Sequence, residues 1–319
     1  MAAMTRVRHL AEYWVVLALR RVAGAVSERT AERLGTLIGL AFHFVDRGHR
    51  RLAVRQLQAA FPVRSEAECE AIARQTFVHF GRSVVALLRA STRTPAEILA
   101  SFEIEGQDRI EAAHAAGKGV IVVTGHFGYW ELHNLVHPLV LPPMSVLARP
   151  LDNPYLHAFI EETRCMTGNR VVYRQGAMRR VLRALHQNEC VGILIDQHIH
   201  GADAVPVDFF GRPAATTSAV AELALRTGAA LVPAFTIPLP DGRCRLVFEH
   251  PVELPPAGVD DRVLALTQRC TDILEMYVRR YPHLWLWMHR RWRESPKTGA
   301  PVGGMFPSAS RDEREVPSR

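Results

Sequence analysis

The sequence predicts an α/β protein: a mainly parallel central sheet with helices on both faces, preceded by a helical N-terminal region. Three observations carry that reading. From Ile104 onward, short apolar runs of strand length alternate with amphipathic segments of helix length, the pattern of a parallel sheet covered on both sides. Before that point the apolar spacing is helical. Finally, His126, Arg149 and Asp196 each fall just past the end of a predicted strand, where ligands bind in such sheets.

The N-terminal region, residues 1–95, holds two apolar patches. Tyr13 to Leu19 is cut by Arg20 and Arg21, and Leu34 to Val45 is bounded by Arg33 and Asp46. Neither reaches the roughly 20 residues of a membrane-spanning helix, and no small-residue cleavage site follows a short basic start, so no signal peptide is expected. The chain has 319 residues and a net charge of +7; between Met1 and Arg55 ten arginines stand against four acids, a surplus of six. That balance points to an anionic partner, nucleic acid or an acidic membrane surface. With no recognition helix or base-stacking motif, nucleic acid is not expected. Apolar and aromatic residues flanked by arginines suit helices lying in a bilayer interface; helices packed on the domain with a basic outer face are the alternative. Arg47 to Phe61 reads as a further basic helix stopped by Pro62. Ser65-Glu66-Ala67-Glu68 is a capping box opening a helix with Phe77, Phe80, Val84, Leu87 and Leu88 on one face, and Ser91 to Pro95 is a loop.

In the second region, residues 96–294, strands are expected at Gly119–Thr124, Ser145–Ala148, Arg170–Tyr173, Val191–Asp196, Ala230–Ile237 and Cys244–Glu249. Helices are expected at Asp108–Ala116, Trp130–Val140, Pro154–Thr167, Ala177–Gln187, Ala214–Thr227 and Asp261–Arg280. An aromatic and arginine-rich stretch, Tyr281 to Arg293, follows. Residues 295–319, rich in Pro, Gly, Ser and charge, are expected to be disordered. Five scattered cysteines, Cys69, Cys165, Cys190, Cys244 and Cys270, form no C-x-x-C pair or metal spacing and fit a reducing compartment.

The organising stretch is Gly119 to Leu132. His126 and Glu131 stand five residues apart, a helical rotation of about 140°, so they meet only if His126 lies in the turn and Glu131 on the first helical turn. In that arrangement the carboxylate accepts one ring N–H and leaves the other nitrogen as a base. A helix-capping histidine with a glutamate at the positive end of the dipole is the structural alternative.

Taken together, Gly125-His-Phe-Gly-Tyr-Trp-Glu-Leu132, Ala148-Arg-Pro-Leu-Asp-Asn-Pro154, Ile195-Asp-Gln197, Val205-Pro-Val-Asp-Phe-Phe-Gly-Arg-Pro213, Leu231-Val-Pro-Ala-Phe235 and Trp285-Leu-Trp-Met-His-Arg-Arg-Trp292 resemble the bacterial lipid A late acyltransferase family, a lysophospholipid acyltransferase-like group. The resemblance covers roughly residues 48 to 293. It implies a catalytic pair, His126 and Glu131, and substrate-binding residues Arg149, Asn153, Asp196, Gln197, Phe209, Phe210 and Gly211. It further implies transfer of a fatty acyl chain from acyl carrier protein or acyl-CoA to a hydroxyl of a membrane lipid such as a lipid A precursor. Relatives act instead on a phosphatidylinositol mannoside. An enzyme on the cytoplasmic face of the inner membrane, peripheral or N-terminally anchored, is implied as well. The chain departs from the family pattern at Tyr129 and Gln56, where Asn is usual. No cofactor and no metal are expected. Two rivals remain open: a metal-dependent hydrolase built on His126, Glu131, His133 and His137, and a non-enzymatic binding module driven by the basic ends.

Overall fold

The computed structural model describes residues 2–173 and 176–292, and begins with α1 (Ala2–Ala25), α2 (Glu28–Val45), α3 (Arg47–Ala60), α4 (Glu66–Ala90) and α5 (Pro95–Ala100). Side-chain oxygens fix the starts of α2, α3 and α4. Ser27 accepts from the Thr30 N–H, Asp46 from that of His49, and Ser65 and Glu68 form the expected capping box. Arg20 and Arg21 do not interrupt α1, because Arg20 folds back to donate to the Oγ and carbonyl oxygen of Ser91. Gly35 and Gly39 of α2 lie directly on the backbone of α4, the first at Gly81 and Arg82 and the second at Phe77 and Val78, where any Cβ would collide with the facing chain. No helix among the described residues is long and apolar enough to cross a membrane.

The chain then alternates: β1 (Phe102–Glu105), α6 (Gln107–Ala115), β2 (Val120–Thr124), α7 (Trp130–Val140), β3 (Met144–Ala148), α8 (Pro154–Cys165), β4 (Arg170–Tyr173), α9 (Ala177–His186) and β5 (Cys190–Leu194). It closes with β6 (Ala204–Asp208), β7 (Pro213–Thr217), α10 (Ala219–Thr227), β8 (Ala230–Pro238), β9 (Cys244–Phe248) and α11 (Arg262–Arg280). Seven strands form one sheet in the order β1-β9-β8-β2-β5-β3-β4, parallel at every pairing except β8 with β9. Successive side chains of a strand point to opposite faces, and β2 uses both. Ile121 and Val123 pack with α3, α9, α10 and α11, whereas Val120 and Val122 pack with α6 and α7. Each fully buried aliphatic side chain here contributes about 1.5–3 kcal/mol. The α/β class, the parallel sheet and the helices on both faces are those the sequence predicts.

Several elements differ from expectation. No strand is expected at β1 or β6, and no helix at α5, which opens at Pro95. The helix expected over Ala214–Thr227 opens only at Ala219, because Pro213–Thr217 pairs antiparallel with Ala204–Asp208. The alanines read as helix formers, but the pairing partner, invisible to a local pattern, decides. The segment 295–319 lies outside the described residues.

Candidate active site

Strand register brings the site together. β2 and β5 are parallel neighbours with Thr124 beside Leu194, so two residues further on His126 comes beside Asp196 at the carboxyl rim of the sheet. The intervening Gly125 permits that approach, since a Cβ there would sit 3.1 Å from the Asp196 carboxyl carbon. The His126 backbone N–H donates to Asp196 Oδ2 at 2.8 Å, and its ring Nδ1 donates to Oδ1 at 2.9 Å. A third donor, Trp285 Nε1, reaches Oδ2 at 2.8 Å.

This geometry sets the proton positions. Burial alone would raise the Asp196 pKa, but the His126 charge, the hydrogen bonds from His126 and that from Trp285 prevail and hold it at about 2. With Asp196 ionised, Nδ1 of His126 carries the proton and Nε2 presents its lone pair on the open side, 3.3 Å from the Gln197 amide nitrogen. Burial lowers the imidazole pKa, yet the Asp196 charge and hydrogen bond, with a further contribution from Glu131, lift it above the ordinary 6.5. The His126 side chain is 22% exposed and that of Asp196 only 2%. The pair is thus a buried carboxylate behind a partly exposed imidazole.

Glu131 does lie on the first turn of α7 and His126 in the preceding turn, as the spacing requires. The expected hydrogen bond between them is replaced, however. Both Glu131 oxygens are forked by Arg164 from the end of α8, Nε to Oε2 at 2.9 Å and Nη2 to Oε1 at 2.5 Å. Asp196 holds the ring instead, because the β2–β5 register aims it directly at Nδ1. Glu131 acts on His126 through charge alone.

The turn carrying His126 is pinned on several sides. Gly128, at φ +58°, packs so tightly on the Thr236 carbonyl that a Cβ would overlap it. The His79 ring, kept neutral by burial with a pKa of about 3, bonds the Gly128 carbonyl at 3.0 Å and stacks on Tyr129. On the other flank, the chain around Trp285 runs antiparallel to residues 126–128: Gly128 N–H donates to Leu284 O at 2.9 Å, and Leu286 N–H to His126 O at 3.1 Å.

The remaining sequence-predicted residues divide. Arg149 is exposed one residue beyond β3, on the same rim. Asn153 is spent on structure, a departure from the binding role expected of it. Its Oδ1 caps α8 at the N–H groups of Tyr155 and Leu156, and its Nδ2 donates to His9 O and Glu12 Oε2 of α1. Phe209, Phe210 and Gly211 form the β6–β7 turn, with Phe210 and Gly211 at φ +60° and +70°. Phe209 is buried against Trp285 and Trp292, and Phe210 against Phe61 and Trp287. They are packed core rather than an open wall. His133 and His137 lie buried against Phe248, their pKa values pushed down to about 4 and about 3. Among the described residues no three His, Cys, Asp or Glu side chains are arranged to hold a metal ion.

A cavity of about 1000 Å³ reaches Tyr129 and Leu132, on either side of Trp130-Glu131. Its walls include Val78, Val85, Ala86 and Ile98, with Arg82, Arg89, His79 and His283 among its polar groups. His126, Asp196 and Gln197 do not line it.

The model of the bacterial lipid A biosynthesis acyltransferases matches residues 1–294. The chain belongs to that family. Among its relatives are the lipid A biosynthesis palmitoleoyltransferase of Escherichia coli K12, 28% identical over 265 residues, covering 82% of this chain and 85% of that one. The lauroyltransferase of the same strain is 27% identical over 267 residues, covering 83% and 86%. A phosphatidylinositol mannoside acyltransferase of Mycolicibacterium smegmatis is 26% identical over 189 residues, covering 58% and 60%. Among solved structures, the 1-acyl-sn-glycerophosphate acyltransferase PlsC of Thermotoga maritima aligns with a TM-score of 0.37 and 15% identity, over 77% of this chain and 96% of that one. As a member of the lipid A biosynthesis acyltransferase family, the protein is an enzyme that transfers acyl groups to a lipid acceptor.

Sequence reasoning found His126 and Asp196 but not their bond, and it missed Arg164 and Trp285 as members of the site. Arg164 carries no local signal, since its partner is 33 residues away. Trp285 stood in a conspicuous motif whose role only the paired backbone reveals.

Proposed function

We propose that the enzyme transfers a fatty acyl chain from an acyl carrier protein or acyl-CoA thioester to a hydroxyl of a lipid A precursor, with His126 as general base. The observation that carries this reading is the Asp196–His126 pair at the sheet rim, with Nε2 outward. Nε2 takes the acceptor hydroxyl proton as the oxygen attacks the thioester carbonyl, a contribution of about 10²–10⁴-fold. The tetrahedral oxyanion then collapses, the C–S bond breaks, and the departing thiolate takes the proton back from the imidazolium. Asp196 fixes the tautomer and stabilises the imidazolium. Glu131 adds negative charge and holds Arg164 in place. Arg149, exposed on the same rim, is the proposed holder of the oxyanion or of an acceptor phosphate. The cavity beside Tyr129 and Leu132 is the proposed receptacle of the acyl chain.

The enzyme works, in this reading, at the cytoplasmic face of the inner membrane. Met4, Val7, Trp14, Val15 and Val22 are exposed along one stripe of α1, and Leu37, Phe42, Phe44 and Val45 are exposed on α2. Exposed Arg6, Arg8, Arg21, Arg29 and Arg33 accompany them. An apolar stripe edged with arginine fits an anionic bilayer interface.

The test is transfer of radiolabelled acyl groups from either thioester to purified acceptors, with lipid mass spectrometry of a strain lacking the gene. His126→Ala should abolish transfer while circular dichroism stays native. Full turnover by that variant rejects the mechanism. Product on a phosphatidylinositol mannoside or a lysophospholipid, and none on lipid A precursors, reassigns the acceptor.

A further inference from the structure

Two backbone bonds, Gly128 N–H to Leu284 O and Leu286 N–H to His126 O, tie the Trp285 segment to the catalytic turn, and Trp285 itself supplies Asp196 with its donor from outside that turn. A buried side chain from the helical N-terminal region also holds the segment. Gln56 of α3, 6% exposed, donates from Nε2 to Trp287 O at 2.6 Å and to His289 O at 2.7 Å. Its Oε1 accepts the Arg291 N–H at 2.8 Å. All three partners belong to one stretch, and the amide spends both ends on it. Arg291 closes the other side: its guanidinium, 1% exposed, bonds Ala215 O and Thr216 Oγ1 of β7 and lies over the Phe209 ring, which packs on Trp285.

We propose that Gln56 is a positioning residue for catalysis: by latching residues 287–291 it holds the Trp285 indole on Asp196, and so aims the His126 ring. The inference rests on His126 being the base. Gln56 touches neither His126 nor Asp196, and acts through the chain it holds. The role needs the reach of glutamine. Asparagine, one methylene shorter, cannot bridge three backbone groups with the α3 backbone where it stands, which gives a physical meaning to the departure at this position.

Removing the indole donor leaves the Asp196 charge less offset, so the carboxylate attracts the imidazolium proton more strongly. Trp285→Phe keeps an aromatic ring against Phe209 and Trp287 but loses the N–H. It should raise the His126 titration midpoint, followed by NMR of the ring in the full chain, by about one unit, the size of one lost hydrogen bond to a charged group. The acidic limb of the kcat/KM–pH profile should move with it, and kcat should fall about tenfold from looser aim. Gln56→Leu should shift the His126 midpoint in the same direction, and Gln56→Asn by less; the Asn variant is read alone if the Leu variant does not fold. An unmoved midpoint in Trp285→Phe overturns the proposal, and so does a shift there with none in either Gln56 variant. The NMR titration needs no substrate. A moved midpoint alongside a His126→Ala protein that still transfers acyl groups would therefore sink His126 as the base and leave only the structural latch standing.

Discussion

Replacing Asp196 with asparagine is the sharpest probe of the site, because the structure dictates how the amide must settle. Asp196 Oδ2 accepts two N–H groups, from the His126 backbone and Trp285, while Oδ1 accepts the ring Nδ1–H. Asparagine has one acceptor oxygen, and the two-donor side claims it. The NH₂ group then faces Nδ1, which must present a lone pair instead of a proton. The ring proton moves to Nε2, so the outward nitrogen no longer serves as a base. The loss should be the whole general-base contribution, about 10²–10⁴-fold in kcat, or about 3–5 kcal/mol of barrier. The same change removes a pH-dependent stability. Asp196 sits at about 2 when folded against an ordinary 3.8. Its contribution, about 2 kcal/mol, is present above the unfolded value and lost as pH falls through the folded one. His126 behaves oppositely: with its folded pKa raised, its contribution is complete below the unfolded value and lost as pH rises through the folded one. In Asp196→Asn both dependences should flatten. Single-turnover acyl transfer, ¹⁵N tautomer shifts of His126 and thermal unfolding from pH 2 to 8 measure the three effects. An Asn variant with Nδ1 still protonated, or with kcat within threefold of wild type, refutes the reasoning.

Three other outcomes are expected. Glu131→Gln strips Arg164 of its paired charge in a setting where both side chains are about four-fifths buried. It should destabilise the fold by about 1–3 kcal/mol in denaturant titrations and lower the His126 midpoint, whereas Asp196→Asn acts on tautomer as well as charge. Ala86→Phe, projecting into the 1000 Å³ cavity, should shorten the preferred acyl chain in competition assays with mixed thioesters; an unchanged chain profile removes the cavity from the donor site. Trp14→Ser with Val15→Ser on the exposed stripe of α1 should weaken co-sedimentation with anionic vesicles about tenfold or more, from the lost apolar burial. Equal binding by the double variant would place the membrane contact elsewhere.

The fold was legible where it is local or periodic. The β2 to α7 passage, the capping box at Ser65 and the alternation from Ile104 all read directly from residue spacing, since each depends on neighbours in sequence. The β6–β7 hairpin was not, because an Ala-rich strand is chosen by its partner and not by its own propensity. At the site, the positions of His126 and Asp196 past their strands were legible, but the choice of which carboxylate meets the ring was not. Spacing along the chain favoured Glu131; register across the sheet favours Asp196. Asn153 shows the same limit from the other side: a polar residue in a family motif proves to be a helix cap whose second hand grips α1.

That grip has a practical consequence. Deleting the first dozen residues, an obvious step for anyone seeking a better-behaved preparation, would remove both acceptors of the Asn153 amide, at His9 and Glu12. The damage would begin at one end of α8 and be felt at the other, about 18 Å along a twelve-residue rod, where Arg164 meets Glu131. A trimmed enzyme that fails in the assay tube would therefore say little about bilayer attachment until the engagement of α8 has been checked on its own.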